Sequence, residues 1–302
     1  MAHFALALVN PHAAGGRAAR MLPALRAALE HVAPGCRIEL PASAEIARGL
    51  LQALPRGSRV LVAGGDGTVN QLLRAILDGD HVLALVPAGS GNDLSRALGI
   101  FGHPLESTLA LLGQGAERSI DIGQVEYDDA EALFAANLTV GFDGAVCARA
   151  LAGPKWLRGL PRYLFATFGE LAALSNHILR VTADGALVHS GAALFASTLN
   201  TPTFGSGMPA VPDARIDDGH LNLLIAGQFS RLGALCMLPR LLKGTHLGDA
   251  RIRTFPYEKL AIESREPLPF AVDGEYLGSA ARLAVRVNQA RLRVIVGDAA
   301  GI

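Results

Sequence analysis

Val62-Ala63-Gly64-Gly65-Asp66-Gly67-Thr68-Val69-Asn70 decides the reading of this chain. The apolar run Arg59-Val60-Leu61-Val62-Ala63 reads as a buried strand that stops at two glycines, a carboxylate and a third glycine. Beyond it Val69, Leu72, Leu73, Ile76 and Leu77 recur at helical spacing. Residues 64–68 therefore form a turn between a strand and a helix N-terminus. Glycines let the backbone approach a ligand closely, and the free N–H groups and partial positive charge of a helix start suit phosphate. An acid within such an anion site calls for a cation beside it.

The same theme occurs three times in the first 120 residues. Phe4 to Val9 is a strand followed by Asn10-Pro11-His12-Ala13-Ala14-Gly15-Gly16, then a helical face of Leu22, Leu25, Leu29 and Val32. His81 to Val86 is another strand, followed by Pro87-Ala88-Gly89-Ser90-Gly91-Asn92-Asp93 and a helix through Leu94, Ala97 and Leu98. Alternating strands and helices predict a parallel sheet covered on both faces, with ligands at the carboxyl ends of its strands. Three plain strand-to-helix loops are the alternative, weakened because each also carries Asn, Ser, Thr or Asp. After about Ile122 short alternating strands predominate: 133–140, 178–182, 192–199, 221–226, 260–263, 270–272 and 283–287. Asp184-Gly185 and Asp273-Gly274 are hairpin signals, and helical stretches span 157–174 and 230–242. The expectation is an N-terminal α/β nucleotide-binding domain over 1–122 and an antiparallel β-sandwich over 123–302, its last strand returning to the first domain. The active site is expected in the cleft that separates them.

Composition narrows the function. At 302 residues and 50% hydrophobic content the chain can bury two cores. Lys+Arg and Asp+Glu balance at 27 each, which gives no bulk charge for nucleic acid. Cys36, Cys147 and Cys236 have no zinc or redox spacing. The first residues lack a basic n-region, and no run reaches the ~18 apolar residues of a membrane span. A cytoplasmic protein is expected. The lysines are Lys155, Lys243 and Lys259, none after a glycine, so the Gly-x4-Gly-Lys-Ser/Thr phosphate loop is absent. Neither Gly65-Asp66-Gly67 nor Gly89-Ser90-Gly91 continues into the dinucleotide fingerprint.

Gly64-Gly65-Asp66-Gly67-Thr68-x-Asn70 followed by Pro87-x-Gly89-Ser90-x-Asn92-Asp93 resembles the diacylglycerol-kinase catalytic family, with its sphingosine and ceramide kinase relatives. Asn10-Pro11-x-Ala13-Ala14-Gly15-Gly16, Pro212-x-Ala214-x-x-Asp217-Asp218-Gly219 and Val272-Asp273-Gly274-Glu275 continue the likeness along nearly the whole chain. The resemblance implies an ATP-dependent lipid kinase. ATP would lie on Asn10, Pro11, His12, Ala13, Ala14, Gly64, Gly65, Asp66, Gly67, Thr68, Asn70, Gly89, Ser90 and Asn92. Asp66, Asp121 and Asp273 would gather a catalytic Mg2+, partly through water, with Asp93 in the network. Glu275 would be the general base. A structural Mg2+ would take Asp218 and the main-chain oxygens of Arg215 and His220. Departures are Gln71 where Glu is frequent, Ser90 where Thr is usual, and no Thr in 40–43.

By the same resemblance the partner is a lipid substrate at the inner membrane face, visited peripherally; nucleic acid is not expected, and a homodimer is allowed. Lys155-Trp156-Leu157-Arg158 through Phe165 is the aromatic, basic stretch, readable as a membrane-touching element or as a helix packed on the β domain. Two rival functions are kept: a kinase of a soluble hydroxyl compound, like NAD kinases or phosphofructokinases, and a catalytically silent lipid-binding protein.

Overall fold

Near-continuous Val, Leu and Ala runs between glycine turns can bury both strand faces, and they build the first unit. In the computed structural model, which describes residues 4–154 and 156–297, the chain divides into two units: residues 1–120 with 290–302, and residues 121–289.

Unit 1 begins β1 (Leu6–Val9), α1 (Arg17–Val32), β2 (Arg37–Glu39), α2 (Ala44–Gln52), β3 (Arg59–Gly64) and α3 (Asp66–Asp78). It continues β4 (Val82–Pro87), α4 (Asp93–Ala97), α5 (Leu105–Gln114) and β5 (Glu117–Ile120). β1 pairs parallel with β2 and β3, and β3 with β4. Helix α3 buries Val69, Leu72, Leu73 and Ile76 of the face expected from spacing, together with Ala75, while Leu77 is only half-buried.

Unit 2 contains β6 (Gly123–Tyr127), β7 (Ala130–Phe134), β8 (Asn137–Val140), α6 (Phe142–Ala152), α7 (Leu160–Ala172), β9 (His177–Ala183) and β10 (Ala186–Leu199). The short pair β11 (Thr203–Phe204) and β12 (Met208–Pro209) precedes β13 (Leu221–Gly227), α8 (Arg231–Leu242), β14 (Ile252–Tyr257), β15 (Lys259–Val272) and β16 (Glu275–Val287). The sheet runs β14-β13-β10-β8-β15-β16-β6-β7. β9 joins β10 to β15 at one end of these 14-residue strands, and β8 joins them at the other. Its core includes Phe134, Leu138, Val181, Tyr257 and Phe270. The Tyr257 hydroxyl shares a 2.7 Å hydrogen bond with Thr198, so its burial leaves no unmet polar group. Strand β17 (Leu292–Ile295) then pairs parallel with β4 and antiparallel with β5, giving unit 1 the order β2-β1-β3-β4-β17-β5.

Three elements differ from the spacing. The strand expected over 133–140 is two, β7 and β8, because the N–H groups of Ala135 and Ala136 turn away to a carboxylate (below). The runs 260–263 and 270–272 are one strand, β15, whose register against β16 shifts between Glu263 and Leu268. Helix α6 has no apolar periodicity that announces it. It starts after Gly141 and lies so close to β15 that a Cβ on Gly144 would meet the Pro269 carbonyl oxygen at 2.2 Å.

Candidate active site

In unit 1 the loops after β1, β3 and β4 lie side by side because those strands are neighbours in the sheet. Asn10 Nδ2 donates to Thr68 Oγ1 at 2.8 Å, joining the first loop to the second. Asn10 Oδ1 accepts the His12 N–H at 3.0 Å, which fixes the bend through Pro11 and His12, and Ala14 takes φ 44°. The second and third loops touch backbone to backbone. A Cβ on Gly65 would stand 2.6 Å from the Gly89 Cα, and one on Gly89 would stand 2.3 Å from the Gly65 Cα. Only glycine fits at either place. Asn92, at φ 61°, folds its side chain back on the third loop: Oδ1 accepts the Gly89 N–H and Nδ2 donates to the Gly89 carbonyl, both at 2.9 Å.

Asp66 opens α3, and its two carboxyl oxygens accept the N–H groups of Asp93 and Leu94, each at 3.0 Å. A carboxylate therefore holds the first turn of the next helix, where its charge meets the positive end of the dipole. Asp93 is buried. The sequence placed Asp66 in this turn, and folding shows that it also fastens the second loop to the third.

In unit 2, Asp273 and Gly274 form a two-residue hairpin between β15 and β16, with φ 47° and 85° and Val272 opposite Glu275. The Asp273 carboxylate is buried. Its Oδ1 accepts N–H groups from Ala136 at 2.8 Å and Asn137 at 3.0 Å, and its Oδ2 accepts that of Ala135 at 2.8 Å. Glu275 is half-buried, and burial, helped by the neighbouring Asp273 charge, raises its carboxyl above the usual range. A carboxylate so raised is a better proton acceptor.

Helix α6 supports this turn. Cys147 donates its thiol to the Gly274 carbonyl at 3.2 Å, and burial, with the charge of Glu275 added, pushes that thiol up to about 12. Asp143, one turn earlier on α6, accepts the Ser197 hydroxyl at 3.0 Å, and burial raises its carboxyl to about 7. Asp143 stands outside the motifs quoted from the sequence. The signal present was Gly141-Phe142-Asp143-Gly144, an acid between two glycines at a strand end, the same grammar as Gly65-Asp66-Gly67.

Asp121 is buried in unit 2, where Oδ2 accepts the Gly219 N–H at 2.7 Å and its backbone N–H donates to Ile216 at 2.6 Å. It thus holds the 216–219 loop. On that loop Asp218 Oδ1 accepts the His220 N–H at 3.0 Å, and Arg215 pairs with Asp217 at 3.5 Å. Among the described residues no group of three or more His, Cys, Asp or Glu side chains is arranged to hold a metal by itself. Of the aromatic, basic stretch, Lys155 lies outside the described residues. Arg162 Nε donates to the Ala150 carbonyl at 2.6 Å and serves packing, while Trp156, Arg158 and Phe165 are exposed. No helix among the described residues is long and apolar enough to cross a membrane.

Comparison with known proteins matches the diacylglycerol kinase catalytic domain to residues 4–125 and the YegS C-terminal NAD kinase beta sandwich-like domain to residues 136–296. A diacylglycerol kinase of Mycobacterium tuberculosis (strain ATCC 25618 / H37Rv) is 31% identical over 260 residues, 85% of this chain and 84% of that protein. One of Staphylococcus carnosus is 31% identical over 110 residues, 36% of this chain and 35% of that one. A putative diacylglycerol kinase from Bacillus anthracis superposes with a TM-score of 0.77 at 20% identity, over 99% of this chain and 98% of the other. An NAD kinase from Archaeoglobus fulgidus in complex with ATP superposes at 0.57 with 11% identity, covering 97% and 94%, a likeness of fold. The chain belongs to the diacylglycerol-kinase catalytic family of lipid kinases.

Proposed function

We propose that this chain transfers the γ-phosphoryl group of ATP to a hydroxyl of a membrane lipid such as diacylglycerol, working in the cytoplasm at the inner membrane face. The observation that supports the reading is the backbone contact of the Gly65 and Gly89 loops, where only glycine fits, as close approach of a phosphate to glycine loops requires. Asn10 to Ala14, Gly64 to Thr68, Asn70, Gly89, Ser90 and Asn92 line the nucleotide. The lipid oxygen attacks the γ-phosphorus, an O–P bond forms, the bond to the β–γ bridging oxygen breaks, and ADP leaves. Glu275 accepts the hydroxyl proton; its burial beside Asp273 suits it to that task.

Magnesium, when bound, neutralises charge on the transferring phosphoryl group. Asp66, Asp121 and Asp273 would hold it, with Asp93 in the surrounding network. They fit it in kind, since carboxylate oxygens and phosphate are the donors that magnesium takes, with water completing the shell. A second, structural magnesium would take Asp218 and the main-chain oxygens of Arg215 and His220. The test is incubation with labelled ATP, magnesium and a panel of extracted lipids and soluble alcohols. Labelled phosphatidic acid is the expected product; label only in soluble compounds overturns the lipid assignment.

A further inference from the structure

Helices α7 and α8 carry their apolar residues on the wrong side for water. On α7 the exposed positions are Pro161, Phe165, Phe168 and Ala172, spaced by four, three and four residues along one face. On α8 the exposed face carries Leu232, Leu235, Cys236, Pro239 and Leu242. Phe165 is 52% exposed, Phe168 53% and Leu232 69%, and Trp156, just before α7, is 78%. An ordinary surface helix places charge there.

The inner sides are already satisfied. Ala234, Met237 and Leu241 of α8 rest on the same cluster that receives Leu160 from the start of α7, and Ala166 of α7 packs against Val146 and Ala150. The two helices touch each other. Their exposed faces therefore set apolar side chains on two neighbouring helices, on the side away from the clusters that their inner faces cover.

Charge on this patch has one sign. Helix α8 has no acid in its sequence, and the single acid of α7, Glu170, is ion-paired with Arg149. Arg158, Arg231 and Lys243 stand exposed at its rim, and none of the three is ion-paired among the described residues. The chain as a whole has no net charge, so this basic rim is a local feature.

We infer that the outer faces of α7 and α8, with Trp156 and the Arg158, Arg231 and Lys243 rim, are the surface by which the protein docks on an anionic phospholipid bilayer. The apolar stripes enter the acyl boundary while the cations meet head-group phosphates, the division expected of interfacial helices. Charge complementarity selects the bilayer over a second copy of this neutral chain. The inference rests on the lipid-kinase reading for its purpose, but its test does not.

The test is vesicle co-sedimentation of the intact protein with phosphatidylcholine, with and without phosphatidylglycerol, followed by Trp156 emission. Wild type is expected to bind the anionic vesicles and shift its emission to the blue. The combined F165S/F168S/L232S/L235S variant should lose about tenfold or more of that partitioning. A second variant, R231Q/K243Q, leaves the apolar stripes intact and should lose binding only where phosphatidylglycerol is present. Both variants should keep wild-type turnover on detergent-dispersed diacylglycerol. Wild type that ignores vesicles, or variants that bind them unchanged, overturns the docking surface even if the lipid kinase assay succeeds. A wild-type dimer that the serine variant dissociates, with vesicle binding unaltered, assigns the patch to self-association instead. Vesicle binding without phosphorylation of any lipid would leave the surface standing and remove the kinase reading.

Discussion

Asp66 and Asp273 are two versions of one device, and their difference separates the units. Each is a carboxylate beside a glycine that gathers backbone N–H groups from another segment. Asp66 reaches 27 and 28 residues along the chain, from one strand-to-helix loop to the next. Asp273 reaches back 136 to 138 residues and breaks a strand to do so. Unit 1 thus builds its loops from local repeats, whereas the Glu275 turn of unit 2 is assembled by long-range contacts from β7–β8, α6 and the β15–β16 hairpin.

The largest effects should come from the groups proposed to meet the reactants. Glu275→Gln is expected to lower kcat ~10²–10⁴-fold while ATP affinity changes little. Unchanged turnover would remove the proton-acceptor role. Gly89→Ala should abolish ATP binding, since its Cβ would lie 2.3 Å from the Gly65 Cα, and isothermal titration reads this directly. Tight ATP binding by that variant would show that backbone contact is not what forms the cradle.

Next comes the comparison itself. Asp273→Ala leaves three buried N–H groups without their acceptor and should cost ~3 kcal/mol or more in denaturant unfolding. Asp66→Ala frees two N–H groups at the start of the short helix α4 and should cost about half as much, ~1–2 kcal/mol. Equal losses would mean that the third N–H group and the deeper burial of Asp273 carry no energetic weight here.

The smaller effects are in pH dependence. Because the Glu275 carboxyl is raised, the acid limb of kcat/KM should lie above the ordinary Glu range of about 4.3. Asp143 is also raised, to about 7, so the folded state binds its proton more tightly than the unfolded chain. Its contribution to stability is therefore full below the ordinary Asp range, is lost as pH rises, and is gone above about 7. Asp143→Asn should flatten this loss and raise the melting temperature at pH 8 relative to pH 5. A parallel pH profile for wild type and variant would free Asp143 of that role.

Legibility follows the same division. The strands β1, β3 and β4, the α3 face and all three glycine loops could be read because strand, turn and helix signals lie within twenty residues of one another. Asp66 could be read as an acid in an anion site, but not its bonds to Asp93 and Leu94. The strand spanning 133–140 was misjudged at Ala135 and Ala136, whose apolar side chains continue the pattern while their N–H groups leave it. Helix α6 and its Asp143 and Cys147 were missed because Gly144 is selected by the Pro269 backbone, not by any helical period.

The sequence by itself determined the three glycine loops after parallel strands, the absence of a lysine phosphate loop, the two-part organisation and the family likeness, because each is carried by spacing within short segments. Only the tertiary structure decided which backbone groups the acids hold, how Glu275 comes to be half-buried beside Asp273, and that α7 and α8 face solvent with their apolar stripes. Those depend on contacts made by residues far apart in the chain, and on which side of a helix the core takes. Periodicity reports that a helix has two faces, and packing chooses between them.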